Sequence, residues 1–360
     1  MATPPVFLDV DGEQVKISSP DRVCFPERDI TKLQVAEYYL AVGDGILRAV
    51  RDRPTALERW PKGVIPLDPD KPVSPANGDY FYQKHVPKKG VPEYVATARI
   101  TFPSGREGTE ICPDNLASVM WAVNMNTVTF HPWPVTRGDV DQPDQLRIDL
   151  DPQPGTDFGD AVAASAVLRE VLDRFGLQGF PKTSGGRGLH VYVPIEARWE
   201  FLDARHALIA LGREVAREAP DLVTMAWWKE ERGERVFIDY NQMARDRSIA
   251  SAYSVRANAR ATVSAPLRWD EVGDVQPEDF DVLSMPSRFA DVGDVASELY
   301  AATPGDISGL LEQFERDKTD RGEGELPYPP DYPKMPGEPP RVQPSKKVAE
   351  HWDDDGNRIE

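Results

Sequence analysis

The sequence predicts an α+β protein in which residues 140–300 form a mixed or antiparallel sheet combined with two helices. Three observations lead there. Residues 146–151, 189–195 and 236–239 alternate apolar and polar positions with the period of two that marks strands. Between them lie two helical stretches, 157–175 and 203–218. Pro152, Pro154 and Gly176 stand at the junctions as terminators.

The opening residues, 1–139, read as a subdomain of short strands and helices. Thr31 and Gln34 fit a capping box, and Leu33, Tyr39, Val42, Ile46 and Leu47 supply apolar positions for the helix that follows. Pro113-Asp114 precedes a helix expected to run through Trp121 and to lead into the His131 segment. Residues 140–300 hold the motif strands and form the catalytic subdomain. Residues 301–360 are expected to be an extended acidic tail, since eight prolines fall between 327 and 344.

The segment LRIDLDPQPG (146–155) carries the chemistry most directly. Leu146, Ile148 and Leu150 enter a core, while Asp149 and Asp151 share the other face, about 7 Å apart along the strand. Such carboxylates repel unless a cation lies between them, and hard oxygen donors suit Mg²⁺ or Mn²⁺. In KTSGGRGLHVYVPI (182–195), Ser184 to Gly188 form a turn able to bring bare N–H groups near an anion, and Arg187 adds a planar cation. His190 and Tyr192 are expected on the polar face of the strand that follows. In RVFIDYNQ (235–242), Asp239 supplies a third acid opposite the aliphatic face. Together these suit a two-metal site that activates a hydroxyl and holds a triphosphate.

In this order the three segments resemble the motifs of the archaeo-eukaryotic primase superfamily, and more closely the bacterial end-joining primase-polymerases, the polymerase domain of ligase D. ITKLQVAEYY, RPTALERWPKG, YFYQKHVP and TFHPWPVTR also resemble that family's segments in its order, so the likeness covers roughly residues 20–290. It implies an RNA-recognition-motif-like catalytic sheet with a closely packed N-terminal α/β subdomain. It implies metal binding by Asp149, Asp151 and Asp239, and nucleotide binding by His131, Ser184, Gly186, Arg187, His190, Arg232, Gln242 and Arg256. The serine's place at the sugar hydroxyl implies a ribonucleotide preference. Lys32 is implied to meet a downstream 5′-phosphate, Phe81 and Tyr82 to stack on a templating base, and Lys84, with Lys88 and Lys89, to follow the DNA strand. Asn258 and the loop at 244–251 depart from the family's pattern and put triphosphate affinity and nucleotide preference in question.

The resemblance further implies a gap-filling repair polymerase acting on gapped or broken DNA with a 5′-phosphate, using NTPs or dNTPs. A separate ligase would complete the repair, since no Lys-x-Asp-Gly nucleophile motif occurs, with an end-binding protein as a further partner. Two rivals stay open: a de novo primase, and a non-catalytic scaffold that binds DNA ends.

The charge balance, 42 basic against 60 acidic residues, opposes phosphate affinity overall. It is uneven, however: residues 270–360 hold 23 acids and 9 bases, leaving 33 bases and 37 acids before them. A local basic groove is compatible with that near-neutral part, with modest, salt-sensitive binding. The sequence contains no apolar run long enough for a membrane span, and MATPPVFLDVDG lacks the pattern of a signal peptide. Cys24 and Cys112 read as reduced thiols. A cytoplasmic, nucleoid-associated bacterial protein is the expectation.

Overall fold

The computed structural model describes residues 3–67, 73–329 and 343–347. The chain opens with the antiparallel hairpin β1 (Val6–Val10) and β2 (Glu13–Ile17), turned by Asp11 and Gly12, both at positive φ as a tight hairpin turn requires. A second pair, β3 (Val23–Phe25) and β4 (Ile30–Thr31), delivers the chain into α1 (Lys32–Ala41) and then α2 (Gly43–Val50). The expected capping box is present: Thr31 Oγ1 accepts from the Gln34 N–H, and Gln34 Oε1 accepts from the Thr31 N–H.

The N-terminal sheet contains β5 (Thr55–Arg59), β6 (Phe81–Gln83), β7 (Thr97–Thr101) and β8 (Glu107–Ile111) in the order β6-β5-β8-β7. Helix α3 (Leu116–Asn124), capped by Asn115, leads into β9 (Thr127–Pro132), which pairs with β5 and puts His131 opposite Ala56.

The catalytic sheet is built from β10 (Gln145–Pro152), β11 (Phe180–Thr183), β12 (Leu189–Pro194), β13 (Val223–Thr224) and β14 (Val236–Ile238). Its order is β11-β12-β10-β14-β13, antiparallel except for β13 with β14, so the mixed sheet expected from the motif strands is present. Helix α4 (Phe158–Arg174) starts at an Asp157 capping box, and Gly176 beyond it has positive φ. Helix α5 (Phe201–Glu218) follows β12. Leu146, Ile148 and Leu150 are fully buried, and so are Leu189, Val191 and Val193. Each such side chain contributes about 1.5–3 kcal/mol of burial.

One expectation gains detail and another needs correction. The polar face of β12 bearing His190 and Tyr192 is not open to solvent: both residues are buried, as is Arg147 across the sheet. Arg147 lies over the Tyr192 ring and donates to the Trp133 carbonyl and Gln145 Oε1, so paired polar groups replace water on that face. The region from residue 301 does not begin as a tail either. After α6 (Met285–Val292) and α7 (Ser297–Ala301) comes α8 (Ser308–Arg321), which packs on α5 through Leu310 and Phe314. The stretch 322–329 then runs along α5, and Tyr328 is buried against Arg205. Pro330, Pro333, Pro336, Pro339 and Pro340 of the expected extended segment lie outside the described residues.

The two sheets share one core. Residues 251–255 join them: Tyr38 Oη donates to the Tyr253 carbonyl at 2.7 Å, Thr129 Oγ1 to the Val255 carbonyl at 2.7 Å, and the Val255 N–H to Tyr39 Oη at 3.1 Å. The catalytic strands and the His131 strand are thereby held as one framework.

Candidate active site

Three acids meet at one end of the catalytic sheet. Asp149 and Asp151, two residues apart, share a face of β10. Asp151 lies opposite Phe237 of β14, and Asp239 follows that strand, its N–H on the Asp149 carbonyl at 3.3 Å. Burial pushes the Asp149 carboxyl up to about 8; repulsion from Asp151 and Asp239 adds to this, and Lys182 and Arg256 oppose it. Asp239 is also raised, by burial first, against the Asn241 N–H, Arg247 and Arg232.

The acids are oriented by neighbours. Gln153 Nε2 donates to Asp151 Oδ2 at 2.9 Å, the Asn241 N–H to Asp239 Oδ1 at 3.0 Å, and Gln242 Nε2 to Asp239 Oδ2 at 3.4 Å. Among the described residues no three His, Cys, Asp or Glu side chains converge tightly enough to form a finished cage. The donor chemistry nevertheless fits a hard divalent cation, because it would relieve the repulsion that raises Asp149.

The glycine turn is closed from within. Ser184 Oγ accepts from the Gly186 N–H at 3.0 Å and the Gly188 N–H at 3.1 Å, so the N–H groups expected to be bare are already paired. Gly185 needs its φ of +70°, and a Cβ there would lie 2.4 Å from Arg256 Cγ. Arg187 is exposed and donates to the Pro152 carbonyl at 3.2 Å, which carries its cation across to the end of β10. Asn258, the departure from the family pattern, pins the turn: its Nδ2 donates to the Gly185 carbonyl at 3.1 Å.

His190 stands directly across β10 from Asp149, its Nε2 3.5 Å from Asp149 Oδ1. His131 comes from the other sheet and bonds Glu58 Oε2 through Nε2 at 3.1 Å; Trp60 Nε1 donates to Glu58 Oε1 at 3.0 Å. Arg256 lies among these groups: burial first, with Arg256 adding to it, lowers both histidines' pKa values, and Arg256 opposes the rise at Asp149. Its guanidinium makes no side-chain hydrogen bond among the described residues, which leaves it available to an anion.

Other expected contacts are engaged inside the protein. Arg232 is buried over the Phe237 ring, 3.5 Å from its centroid, and donates to the Ala226 and Trp227 carbonyls and to Gln153 Oε1. It therefore supports Gln153 and, through it, Asp151. Lys32, expected at a DNA phosphate, is buried, and its Nζ donates to Ser18 Oγ, the Asn124 carbonyl and Asn124 Oδ1. Burial and Arg22 lower it to about 8. Lys84 pairs with Asp246 at 2.8 Å, so the unusual 244–251 loop is fastened to the N-terminal sheet. Tyr82 is 49% exposed, edge-on to His131, and Tyr80 beside it stacks on Trp60, giving a rigid aromatic platform at the mouth of the site. Phe81 is half-buried under Arg59, while Lys88 and Lys89 are exposed.

The sequence reading missed Glu58, Gln153 and Lys182. Gln153 follows Asp151 at a spacing of two, a cue that was available. Glu58 and Lys182 carry no local cue, because their partners are distant in the chain.

A mixed sheet with three acids at one end, beside a serine–glycine turn and facing a second sheet, defines a polymerase-type domain of the archaeo-eukaryotic primase fold. A solved structure agrees: the chain is similar to the "Polymerase Domain from Mycobacterium tuberculosis Ligase D in complex with DNA", with a TM-score of 0.71, 26% identity, and coverage of 81% of this chain and 99% of that one. Residues 31–296 match the family model described as "LigD, primase-polymerase domain", and the chain belongs to that family. It is 30% identical over 301 residues to the multifunctional non-homologous end joining protein LigD of Pseudomonas aeruginosa, covering 83% of this chain and 34% of that protein. It is 27% identical over 308 residues to the bifunctional non-homologous end joining protein LigD of Bacillus subtilis, covering 84% of this chain and 47% of that protein. The chain thus spans between about a third and a half of the length of these relatives.

Proposed function

We propose that this protein is a template-directed nucleotidyltransferase that fills short gaps in DNA during repair, in end joining or excision repair, and prefers ribonucleotides. The observation that carries the reading is the gathering of Asp149, Asp151 and Asp239 at one sheet end, with Asp149 raised to about 8 by burial and by the other two acids. Asp149, Asp151 and Asp239 would hold Mg²⁺ or Mn²⁺, which when bound supplies activation of a primer hydroxyl and neutralises triphosphate charge. The protein's own groups do the remaining work. Arg256 and Arg187 bind the anionic triphosphate. Ser184, its oxygen already taken by two N–H donors, keeps its hydroxyl proton for a ribose hydroxyl. Tyr82 offers a stacking face to the templating base, worth about 1–3 kcal/mol. Gln153 and Gln242 keep two carboxylates aimed.

The test is primer extension on gaps of one to three nucleotides with a downstream 5′-phosphate, comparing NTPs with dNTPs and Mn²⁺ with Mg²⁺. Extension favouring NTPs and the phosphorylated gap is expected, with Asp149→Ala and Asp151→Ala folded and inactive. Retained extension in either variant overturns the assignment. Extension of unprimed single strands would move the protein to de novo priming. DNA binding without synthesis would make it an end-binding scaffold.

A further inference from the structure

The chain beyond α8 reaches the active site from behind. Residues 322–328 lie outside the stretch that matches the family model, 31–296, yet three arginines of α5 fasten them to that helix. Arg217 pairs with Glu323, and Arg213 donates to the Glu323 and Gly324 carbonyls at 2.6 and 2.5 Å. Arg205 is 1% exposed, so its guanidinium depends on protein partners. Its Nη1 donates to Glu325 Oε1 at 2.6 Å, and its Nη2 to the Leu326 and Pro327 carbonyls at 2.8 and 3.2 Å. It also lies 3.7 Å from the centroid of the Tyr328 ring and 5.3 Å from that of Tyr240. Its Nε turns the other way and donates to Asn241 Oδ1 at 3.1 Å.

Asn241 carries the connection to the acids. It belongs to the 3₁₀ turn Tyr240–Met243, directly after Asp239. Its amide is held at both ends, since Nδ2 donates to the Pro327 carbonyl at 3.2 Å while Oδ1 accepts from Arg205. Its backbone N–H donates to Asp239 Oδ1 at 3.0 Å. Moving the turn would break two buried side-chain hydrogen bonds, so the N–H aimed at Asp239 is anchored. Moving 325–328 away would leave Arg205 buried with one of its four acceptors, Asn241 Oδ1. The turn and the segment therefore keep their places together.

We infer that residues 322–328 are a positioning strap for nucleotidyl transfer: through Arg205 and Asn241 they fix the turn that orients Asp239. The contacts of Arg213 and Arg217 alone would describe a strap that merely covers α5. Arg205 differs, because its donors reach both the strap and the turn.

The inference rests on the polymerase reading of the same site, but its first test needs neither metal nor activity. Hydrogen exchange of the full chain is compared for wild type, Tyr328→Leu and Ile17→Ala, the last a destabilising change in the distant β2. Tyr328→Leu should speed exchange at 240–243 by about tenfold, the equivalent of one buried hydrogen bond, and leave β10 protected. Ile17→Ala should leave 240–243 as in the wild type. Unchanged exchange at 240–243 in Tyr328→Leu overturns the inference.

The second test titrates the full chain with Mn²⁺ alone, reading the free ion by electron paramagnetic resonance. Tyr328→Leu and Asn241→Ala should each weaken Mn²⁺ binding by about 10- to 100-fold, the usual cost of losing an orienting partner. Tyr328→Phe keeps a ring over Arg205 and should bind as the wild type does. The double variant should be no weaker than the worse single one, because both cut one connection; additive losses overturn the inference. If Tyr328→Leu does not fold, Asn241→Ala decides, and wild-type affinity in it overturns the inference. A strap that merely covers α5 would lower the melting temperature and leave Mn²⁺ affinity unchanged. A wild type that shows these responses without extending a primer would sink the polymerase reading and leave the strap's role at Asp239 standing. A wild type that binds no Mn²⁺ would sink the metal reading, and hydrogen exchange would then decide the strap.

Discussion

At the turn between β11 and β12 single atoms decide what is tolerated. A Cβ on Gly188 would lie 2.4 Å from the Leu150 carbonyl, which belongs to the strand between the two first acids; a Cβ on Gly186 would meet only Ser184 Oγ, at 3.4 Å. Gly188→Ala should therefore cost about 1–3 kcal/mol and most of the extension activity, because the clash pushes on β10 itself. Gly186→Ala should stay within about 0.5 kcal/mol of wild type. Urea melts and extension assays on the pair check both. A second residue-scale prediction concerns Glu110, whose carboxyl is buried in β8. Burial first, then Asp246, pushes it up to about 8, against an unfolded value near 4.3. A raised carboxyl binds its proton more tightly when folded, so stability is lost as pH climbs from about 4.3 to about 8. Glu110→Gln should flatten that slope, leaving the melting temperature near wild type at pH 4.5 and raising it at pH 8. Parallel slopes in the two proteins would refute the buried-acid account.

At the scale of elements, α8 is the piece whose removal should matter most beyond the site. Phe314 is buried, its ring stacked 4.1 Å from the His206 ring of α5, and Glu325 beyond the helix bonds both His206 and Arg205. Phe314→Ala should cost about 3–5 kcal/mol, read as a lower midpoint in urea without a change in the transition's single-step character. Helix α8 escaped the sequence reading because Leu310, Leu311 and Phe314 are few apolar residues among many charges, and proline richness downstream suggested an extended tail. The elements that were legible carry their pattern within themselves. Alternation shows β10, β12 and β14, and capping residues show α1 and α4. The acids were legible for the same reason, since Asp149 and Asp151 sit on one strand face. What could not be read is pairing across the fold. Nothing near Lys182 reveals that it meets His190 and Ser264, and nothing near Lys32 reveals that Ser18 and Asn124 absorb its charge. A lysine in a basic-looking segment reads as a phosphate contact until its partners are known.

For the whole molecule the same point governs affinity for nucleic acid. Net charge is −18, and the acidic excess is concentrated after residue 270, where α6, α7 and α8 lie. Several cations nearer the site are used by the fold: Lys84 by Asp246, Arg232 by two carbonyls and Gln153, Lys32 by Asn124. With Arg256 and Arg187 proposed to hold the triphosphate, the exposed Arg247, Lys88 and Lys89 remain to face DNA phosphates. Only a few counterions can then be released on binding. Affinity for a gapped duplex should fall with salt along a shallow line, by roughly 10- to 100-fold for a fourfold rise in salt. Fluorescence anisotropy of a labelled gap gives the slope directly. Lys88→Ala should reduce its magnitude by about one while weakening all sequences alike, because a phosphate contact carries no base information. A slope steeper by about one would mean that the Lys84–Asp246 pair opens on DNA and returns its cation to the interface. Asp246→Asn would then raise affinity at low salt; with the pair closed in the complex, the same substitution should leave affinity unchanged.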